Sequence, residues 1–164
     1  MNNSRIEALQ AMPIFGGIRK DILEYLLGAS EVLSVQKDNY FFHENDQAEA
    51  LYVLEAGEVA VLKLWKGREH VLRHLQQGDC FGEMALMDLI PRSASIRAVA
   101  PCTAIQLSTA SFHKIYEMDL EQFAIIRMNI GREVSRRLRV ADEQMFRIMM
   151  GEPDIDPAIV FPST

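Results

Sequence analysis

Short apolar runs separated by turn residues constrain the fold of this 164-residue chain more than any other feature. The runs are rich in valine, leucine, isoleucine and aromatic residues, which favours β-strands. The predicted strands are residues 32–35, 40–43, 51–54, 58–65, 70–75, 96–100 and 104–107. Tight turns are predicted at Gly57, Lys66-Gly67 and Gly78-Asp79. Short strands at this spacing predict a small antiparallel barrel or jelly roll.

Helical patterns flank the strands. In residues 1–30, apolar side chains recur at steps of three and four, which predicts short helices. After the last strand, Ser108 or Thr109 is placed to cap a short helix, and a long helix is predicted from about residue 120 to residue 150. The expected fold class is α+β, mainly β: a double-stranded β-helix or jelly-roll barrel with short N-terminal helices and a long C-terminal helix.

The length of the chain suits one domain with a helical appendage. We expect this domain to span residues 1–151, with N-terminal helices in 1–30, a β-roll in 31–107 and C-terminal helices in 108–151. Residues 152–164 contain three prolines and are predicted to form a flexible tail.

The second half of the long helix carries small and apolar residues at alternating steps of three and four, the spacing of a coiled-coil seam. The stripe consists of Gly131, Val134, Leu138, Ala141, Met145 and Ile148. It predicts a homodimer formed through residues 131–148. The alternative is that the helix packs this stripe against its own barrel.

The composition narrows the function classes. Acidic residues number 23 against 17 basic ones, so the net charge of −6 argues against a chain whose main role is to coat nucleic acid or an anionic membrane. Cys80 and Cys102 lack the spacing of metal ligands. Because no signal peptide or long apolar span is visible, we expect no membrane contact and a reducing, cytoplasmic location.

A glycine, a carboxylate and an arginine lie close together within residues 81–95, in a mostly apolar run. An arginine in apolar surroundings needs an anion, and phosphate matches its fork of donors. Glu83 is an acceptor for a sugar hydroxyl, and Gly82 allows close approach of the backbone. These groups together suit a sugar-phosphate. The purely structural alternative is that Arg92 forms an ion pair with Glu83 or Asp88 and holds the loop in place.

The same stretch resembles the phosphate-binding cassette of the cyclic nucleotide-binding domain family, of which the bacterial catabolite activator (CRP/FNR-like) proteins are one branch. The matching residues are Phe81-Gly82-Glu83-Met84-Ala85-Leu86, a four-residue spacer and Pro91-Arg92-Ser93-Ala94-Ser95. The resemblance implies that Arg92 binds the cyclic phosphate with help from amides near Ser93 and Ala94. It also implies that Glu83 accepts from the ribose 2′-hydroxyl while Gly82, Met84 and Ala85 shape the pocket. The ligand would be cAMP or cGMP, without a metal.

Residues 135–143 resemble the dimer helix of the catabolite activator branch. In that branch an arginine lies over the base, followed four and five residues later by a Thr-Ser pair. The alignment places Arg137 at the arginine but Ala141 and Asp142 at the hydroxyl pair. Asp142 suits either the amine of adenine or the N1–H and amine of guanine, so the residues leave the base open. Prevalence in the family favours cAMP.

A smaller departure lies in the second turn, where relatives commonly place glycine before aspartate and this chain has Asn45-Asp46. Asparagine tolerates left-handed backbone geometry, so we expect the turn to be kept.

Transcription regulators of this branch follow the dimer helix with a winged helix-turn-helix, which needs several dozen residues. Only fourteen residues follow Met150. We therefore expect no DNA binding by this chain alone, and an output through an unidentified protein partner.

Three hypotheses remain. The leading one is a stand-alone cyclic-nucleotide sensor that signals by moving its long C-terminal helix. The second is a degenerate family member that serves as a dimerisation or protein-interaction module without a nucleotide. A metal-dependent, cupin-like enzyme is disfavoured, because of the scattered histidines only His70 and His74 are placed to share a strand face. We expect no catalytic activity.

Overall fold

The computed structural model describes residues 3–88 and 90–151, so the predicted tail at 152–164 lies outside the described residues. The helices are α1 (Asn3–Gln10), α2 (Lys20–Gly28), α3 (Met84–Asp88), α4 (Thr109–Met118) and α5 (Leu120–Met149), with a 3-10 turn at Pro13–Phe15. The strands are β1 (Glu31–Val35), β2 (Tyr40–Phe42), β3 (Ala50–Ala56), β4 (Glu58–Trp65), β5 (Arg68–Gln76), β6 (Cys80–Phe81), β7 (Ser95–Ala98) and β8 (Cys102–Ser108). The order of these elements confirms the predicted fold class. The placement of the domain boundary at residue 151 stays a prediction.

The strands form two antiparallel four-stranded sheets. Their orders are β1-β8-β3-β6 and β2-β7-β4-β5, so neighbours within each sheet come from distant parts of the sequence. The β4–β5 hairpin turns at Lys66 and Gly67, whose φ angles of 49° and 75° suit the two-residue turn that the sequence predicts. This roll encloses one face of each sheet.

Strand β3 separates two hydrophobic clusters, which explains why it is buried along most of its length. Because alternate side chains of a strand point to opposite faces, Leu51 and Val53 face the helices, while Tyr52 and Leu54 face the space between the sheets. The sequence shows this two-sided burial as an unbroken apolar run rather than as alternation.

The long helix α5 begins on the core and then leaves it. Asp119 caps its first turn by accepting from the amide of Gln122 at 3.0 Å. Ile126 and Ile130 are buried against the N-terminal helices, and the side-chain amide of Asn129 donates to the carbonyl of Gly16 at 2.9 Å. The first half of α5 is therefore fixed to the domain.

The predicted seam is exposed in the second half of α5. Leu138, Met145 and Ile148 are 58–64% exposed, whereas Val134 is partly buried against the core. The alternative predicted that the whole stripe packs against its own barrel. It is wrong, because the stripe is exposed from Leu138 onward. Among the helices in the described part of the chain, none is both long enough and apolar enough to cross a membrane.

Candidate functional site

The cassette lies at the rim of a cleft between the sheet β2-β7-β4-β5 and helix α5. The cleft is open to solvent at one side. Its lining comprises Phe42, Val61, Arg73, Leu75, Phe81, Gly82, Glu83, Met84, Arg92, Ser93, Ala94, Ile96 and Arg137. Seven residues that the sequence singled out thus meet at one place: Gly82, Glu83, Met84, Arg92, Ser93, Ala94 and Arg137.

The turn before β3 fixes the backbone of Arg92. The amide of Asn45 donates to the Arg92 carbonyl, and the Arg92 amide donates to the Asp46 carbonyl, each at 2.9 Å. Asn45 has a φ of 71°, which confirms that asparagine keeps the left-handed geometry of the turn. Arg92 is therefore positioned before any ligand is present.

The Arg92 side chain is 4% exposed, yet within the described residues no carboxylate pairs with it. Its terminal nitrogens donate to the carbonyls of Gly82 at 2.8 Å and Ala50 at 2.6 Å. Its guanidinium carbon lies 4.0 Å from the ring centroid of Phe42, a cation–π contact. Burial lowers the pKa of Arg92 from its ordinary value, and Nε is buried with no acceptor among the described residues. The alternative of an ion pair with Glu83 or Asp88 is therefore wrong.

Gly82 has to be glycine for Arg92 to reach this position. Its φ is +76°, and a Cβ added there would lie 2.5 Å from a terminal nitrogen of Arg92. A side chain at this position would be strained and would displace the guanidinium. Gly82 therefore positions Arg92 in two ways. Its carbonyl accepts a hydrogen bond from the guanidinium, and its lack of a side chain leaves space for it.

Glu83 and Arg137 form a buried ion pair that joins the cassette to helix α5. Each is about 5% exposed, and one Arg137 nitrogen lies 2.9 Å from a Glu83 carboxylate oxygen. Arg137 also donates to the Cys80 carbonyl at 2.6 Å and to Glu133 at 2.7 Å. Burial alone would lower the pKa of Arg137, but the charge of Glu83 and its other neighbours raise it above the ordinary value. The resemblance places Arg137 over a base, and in this structure it lies on Glu83.

Met84 and Ser93 stand at the mouth of the cleft. The Ser93 hydroxyl lies 3.8 Å from the Met84 sulfur, and both residues are exposed. The Ser93 carbonyl accepts from the Lys63 ammonium at 2.7 Å, which holds this end of the cassette to strand β4. Ala94 is buried in the cluster between the sheets. Ala85 belongs to α3, but its side chain is outside the described atoms.

The other proposed base contacts lie elsewhere in this conformation. Ala141 and Asp142 are exposed on α5 beyond Arg137 and are not among the residues that line the cleft. They would reach the ligand only if helix α5 moved or a second subunit contributed them. Their role stays a prediction.

Sequence reasoning missed Arg73, whose side chain lines the cleft from strand β5. Its Nε, like that of Arg92, is buried with no acceptor among the described residues. A signal was present, since Leu75 is buried and residues two apart on a strand share a face. Arg73 therefore had to point the same way as Leu75.

Cys80 and Cys102 are both buried and form no disulfide. Burial raises the pKa of the Cys80 thiol to about 12, so it is protonated at neutral pH. In residues 3–88 and 90–151, no group of three or more histidine, cysteine or acidic side chains is placed to hold a metal.

This cleft and its roll belong to a known class. The sequence pattern of the cyclic nucleotide-binding domain matches residues 32–119, more than half of the chain. The chain is a member of the cyclic nucleotide-binding domain family.

The relatives that this chain matches include bacterial transcription regulators. The chain is 31% identical over 125 residues to the cAMP-activated global transcriptional regulator CRP of Salmonella typhimurium, a match that covers 75% of this chain and 58% of the regulator. It resembles the crystal structure of the Thermus thermophilus catabolite activator protein with a TM-score of 0.71 and 26% identity, covering 84% of this chain and 63% of that one. A cyclic nucleotide-binding domain from Methylobacillus flagellatus shares the fold, with a TM-score of 0.76 at 21% identity, over 86% of this chain and 80% of that one. The chain thus spans less than two thirds of the length of the regulators it matches.

Proposed function

We propose that the chain is a cyclic-nucleotide sensor in which Arg92 binds the cyclic phosphate. The observation that carries this proposal is the buried guanidinium, which has no carboxylate partner in the described residues and keeps one N–H without an acceptor. A buried cation costs several kcal/mol unless an anion compensates it. The cleft beside it offers room for that anion.

The rest of the cleft suits a nucleoside attached to this phosphate. Glu83 accepts from the ribose 2′-hydroxyl with the oxygen that Arg137 leaves available. Val61, Leu75 and Ile96 supply an apolar wall against which a purine packs. Relatives support cAMP as the ligand, since the Salmonella regulator is named for its activation by cAMP.

The signal passes through the Glu83–Arg137 pair. A ribose hydroxyl that donates to Glu83 weakens the attraction between that carboxylate and Arg137. Arg137 belongs to α5 and is held there by Glu133. The nucleotide then favours one position of the long helix over another. It transmits a signal only to the extent that it binds those positions with different affinity. A protein partner binds the helix in its new position. This takes place in the reducing, cytoplasmic setting that the sequence predicts, without DNA binding by these residues alone.

Binding itself tests the proposal. Isothermal titration of the full chain with cAMP and cGMP should give a dissociation constant in roughly the micromolar range, about −8 kcal/mol. Non-cyclic 5′-AMP should bind at least about tenfold more weakly, because its dianionic, extended phosphate does not match one guanidinium in a closed cassette. If neither cyclic nucleotide gives heat or a thermal shift, the degenerate dimerisation module replaces the sensor.

The exposed seam of α5 supports a homodimer in the same proposal. Replacing Leu138 with glutamate places a charge at the centre of the seam and should convert a dimer into a monomer, measured by light scattering coupled to size exclusion. Arg139→Glu adds acid at the next position, which points away from the seam, and should leave the dimer intact. A wild-type chain that stays monomeric at high concentration, with and without nucleotide, contradicts the dimer.

A further inference from the structure

A second concave site lies between helices α4 and α5, and we call it the α4–α5 groove. It has a volume of about 360 Å³, which is within the range of about 300–1,000 Å³ that is usual for ligand sites. Its lining consists of Thr109, Phe112, His113, Tyr116, Phe123, Arg127 and Ile130. None of these seven residues lines the nucleotide cleft. The groove is therefore a separate site.

Aromatic rings form the wall of the groove. The ring of Tyr116 meets the edge of Phe123 at 5.4 Å between centroids and stacks on His113 at 6.0 Å. Phe112 and Ile130 continue this wall into the hydrophobic core. Tyr116 is nevertheless 50% exposed. A large apolar side chain that entered the groove would cover this exposed ring and lose its own contact with water.

Residues 152–164, which lie outside the described residues, have a sequence that matches the groove. They contain the apolar triplet Ile159-Val160-Phe161, and Phe161 is the one aromatic residue of the chain outside the described part. They also contain three acidic residues and no basic one. Helix α5 carries six arginines against four acidic residues, so its net charge is opposite to that of this segment.

The end of α5 allows the chain to turn back toward the groove. Gly151 has a φ of 82°, the left-handed geometry that ends a helix and takes the chain off the helix axis. Because a helix rises about 1.5 Å per residue, Ile130 lies about 29 Å and Arg127 about 33 Å before Met149 along the axis. The returning chain must cover these distances to reach the groove.

The segment after Gly151 is long enough for this return. Prolines at positions 153 and 157 favour an extended backbone, which advances about 3.1 Å per residue. Counted from Met149, Ile159 then lies about 31 Å and Phe161 about 37 Å along the chain. The apolar triplet therefore reaches the level of the groove.

We propose that residues 159–161 of this chain dock in its own α4–α5 groove, with Phe161 against the rings of Tyr116 and Phe123. The acidic residues of the segment then lie along α5, whose arginines attract them. This docking is independent of the proposed function, because it uses no residue of the nucleotide cleft. It differs from the flexible tail that the composition of residues 152–164 predicts. The competing occupant is a second copy of this chain, since the predicted seam begins at Gly131, directly after Ile130.

Hydrogen exchange of the full chain without nucleotide tests the docking. The amides of residues 159–161 should exchange at least about tenfold more slowly than in an isolated peptide of residues 152–164. Phe161→Asp should remove this protection, and so should Tyr116→Glu, which leaves the tail sequence unchanged. Met118→Glu is the matched control, because Met118 is 51% exposed on the same helix and does not line the groove. It should keep the protection.

Disulfide trapping shows which chain fills the groove. The native cysteines are both buried, and burial raises the pKa of each thiol, so they do not interfere. The double variant His113→Cys with Pro162→Cys should oxidise to a disulfide within one chain, because the two positions then lie close together. Lys66→Cys with Pro162→Cys places the first thiol at the β4–β5 turn and should form no such bond. Thermal unfolding of each variant checks that the roll is intact.

Each other outcome overturns the proposal. If residues 159–161 exchange as fast as in the isolated peptide, or if Tyr116→Glu and Met118→Glu have the same effect, the segment does not dock in the groove. A disulfide that forms mainly between chains, seen at twice the mass on a denaturing gel, assigns the groove to a second copy. Absence of binding by every cyclic nucleotide removes the proposed function and leaves the docking untouched, since neither measurement uses a nucleotide.

Discussion

Replacing Arg92 with glutamine is expected to weaken cyclic-nucleotide binding by at least about 100-fold. Charge-assisted hydrogen bonds contribute about 1.5–3 kcal/mol each, and the loss of two corresponds to about 3 kcal/mol or more. Each 1.4 kcal/mol is a factor of ten in the dissociation constant. Isothermal titration of wild type and variant with the same nucleotide measures the change.

The fold should survive this substitution. Arg92 donates to the carbonyls of Gly82 and Ala50, and removing it leaves at least one of them without a donor. The variant also removes a buried cation that has no carboxylate partner among the described residues and whose Nε has no acceptor there. Because the two effects oppose each other, we expect the free energy of unfolding to change by less than about 2 kcal/mol, measured by chemical denaturation.

Arg97→Gln is the matched control for Arg92. Arg97 lies five positions further on strand β7, pairs with Glu69 at 3.3 Å and does not line the cleft. Its replacement should leave nucleotide affinity within about twofold, because it removes only a partly exposed ion pair. Equal loss of affinity in both variants, or no loss in Arg92→Gln, would show that the phosphate binds elsewhere.

Replacing Arg137 with methionine is expected to destabilise the domain by about 3–5 kcal/mol, because it leaves the buried Glu83 carboxylate without its cation. The pair is at 2.9 Å and about 5% exposed on both sides, so water from the cleft replaces the lost cation only in part. Chemical denaturation of the nucleotide-free protein measures the loss.

The double variant Glu83→Gln with Arg137→Met should recover at least half of that loss, because the isolated buried charge is removed. Arg136→Gln, on the exposed side of the same helix, breaks a bond to Glu133 and should cost less than about 1 kcal/mol. A double variant as unstable as Arg137→Met alone would mean that the Cys80 carbonyl and Glu133, rather than Glu83, are the partners that matter.

The fold was predictable wherever burial leaves a regular pattern. The apolar runs, the Lys66-Gly67 turn and the long helix were all visible, because strand and helix periods and turn chemistry act locally. Strand β6 was missed because Cys80–Phe81 is too short to show alternation and pairs only with β3. The residues of the cassette were predicted as a group from their motif, and their convergence on one cleft followed.

The partners of Arg92 and Arg137 within the site could not be predicted from the sequence. Arg137 and Glu83 are separated by 54 positions in the sequence, and helix periodicity indicates only the second partner of Arg137, Glu133, which lies four residues earlier. Arg92 was expected to face either a ligand or an acid, and its docking onto two carbonyls and the Phe42 ring depends on how β2 and β3 approach the cassette. Tertiary packing decides which groups these side chains contact. Arg73 is the exception, since strand alternation from Leu75 would have placed it.

Because Arg137 anchors α5 to the cassette, a protein that binds α5 also changes the affinity of the domain for the nucleotide. Binding free energies are linked, so a factor by which the nucleotide changes the affinity of α5 for a partner is also the factor by which that partner changes the affinity for the nucleotide. A chain that binds the second half of the helix, such as a second copy of this chain on Leu138 and Met145, would therefore set the nucleotide concentration at which the domain responds. The same chain would then have different thresholds in different complexes.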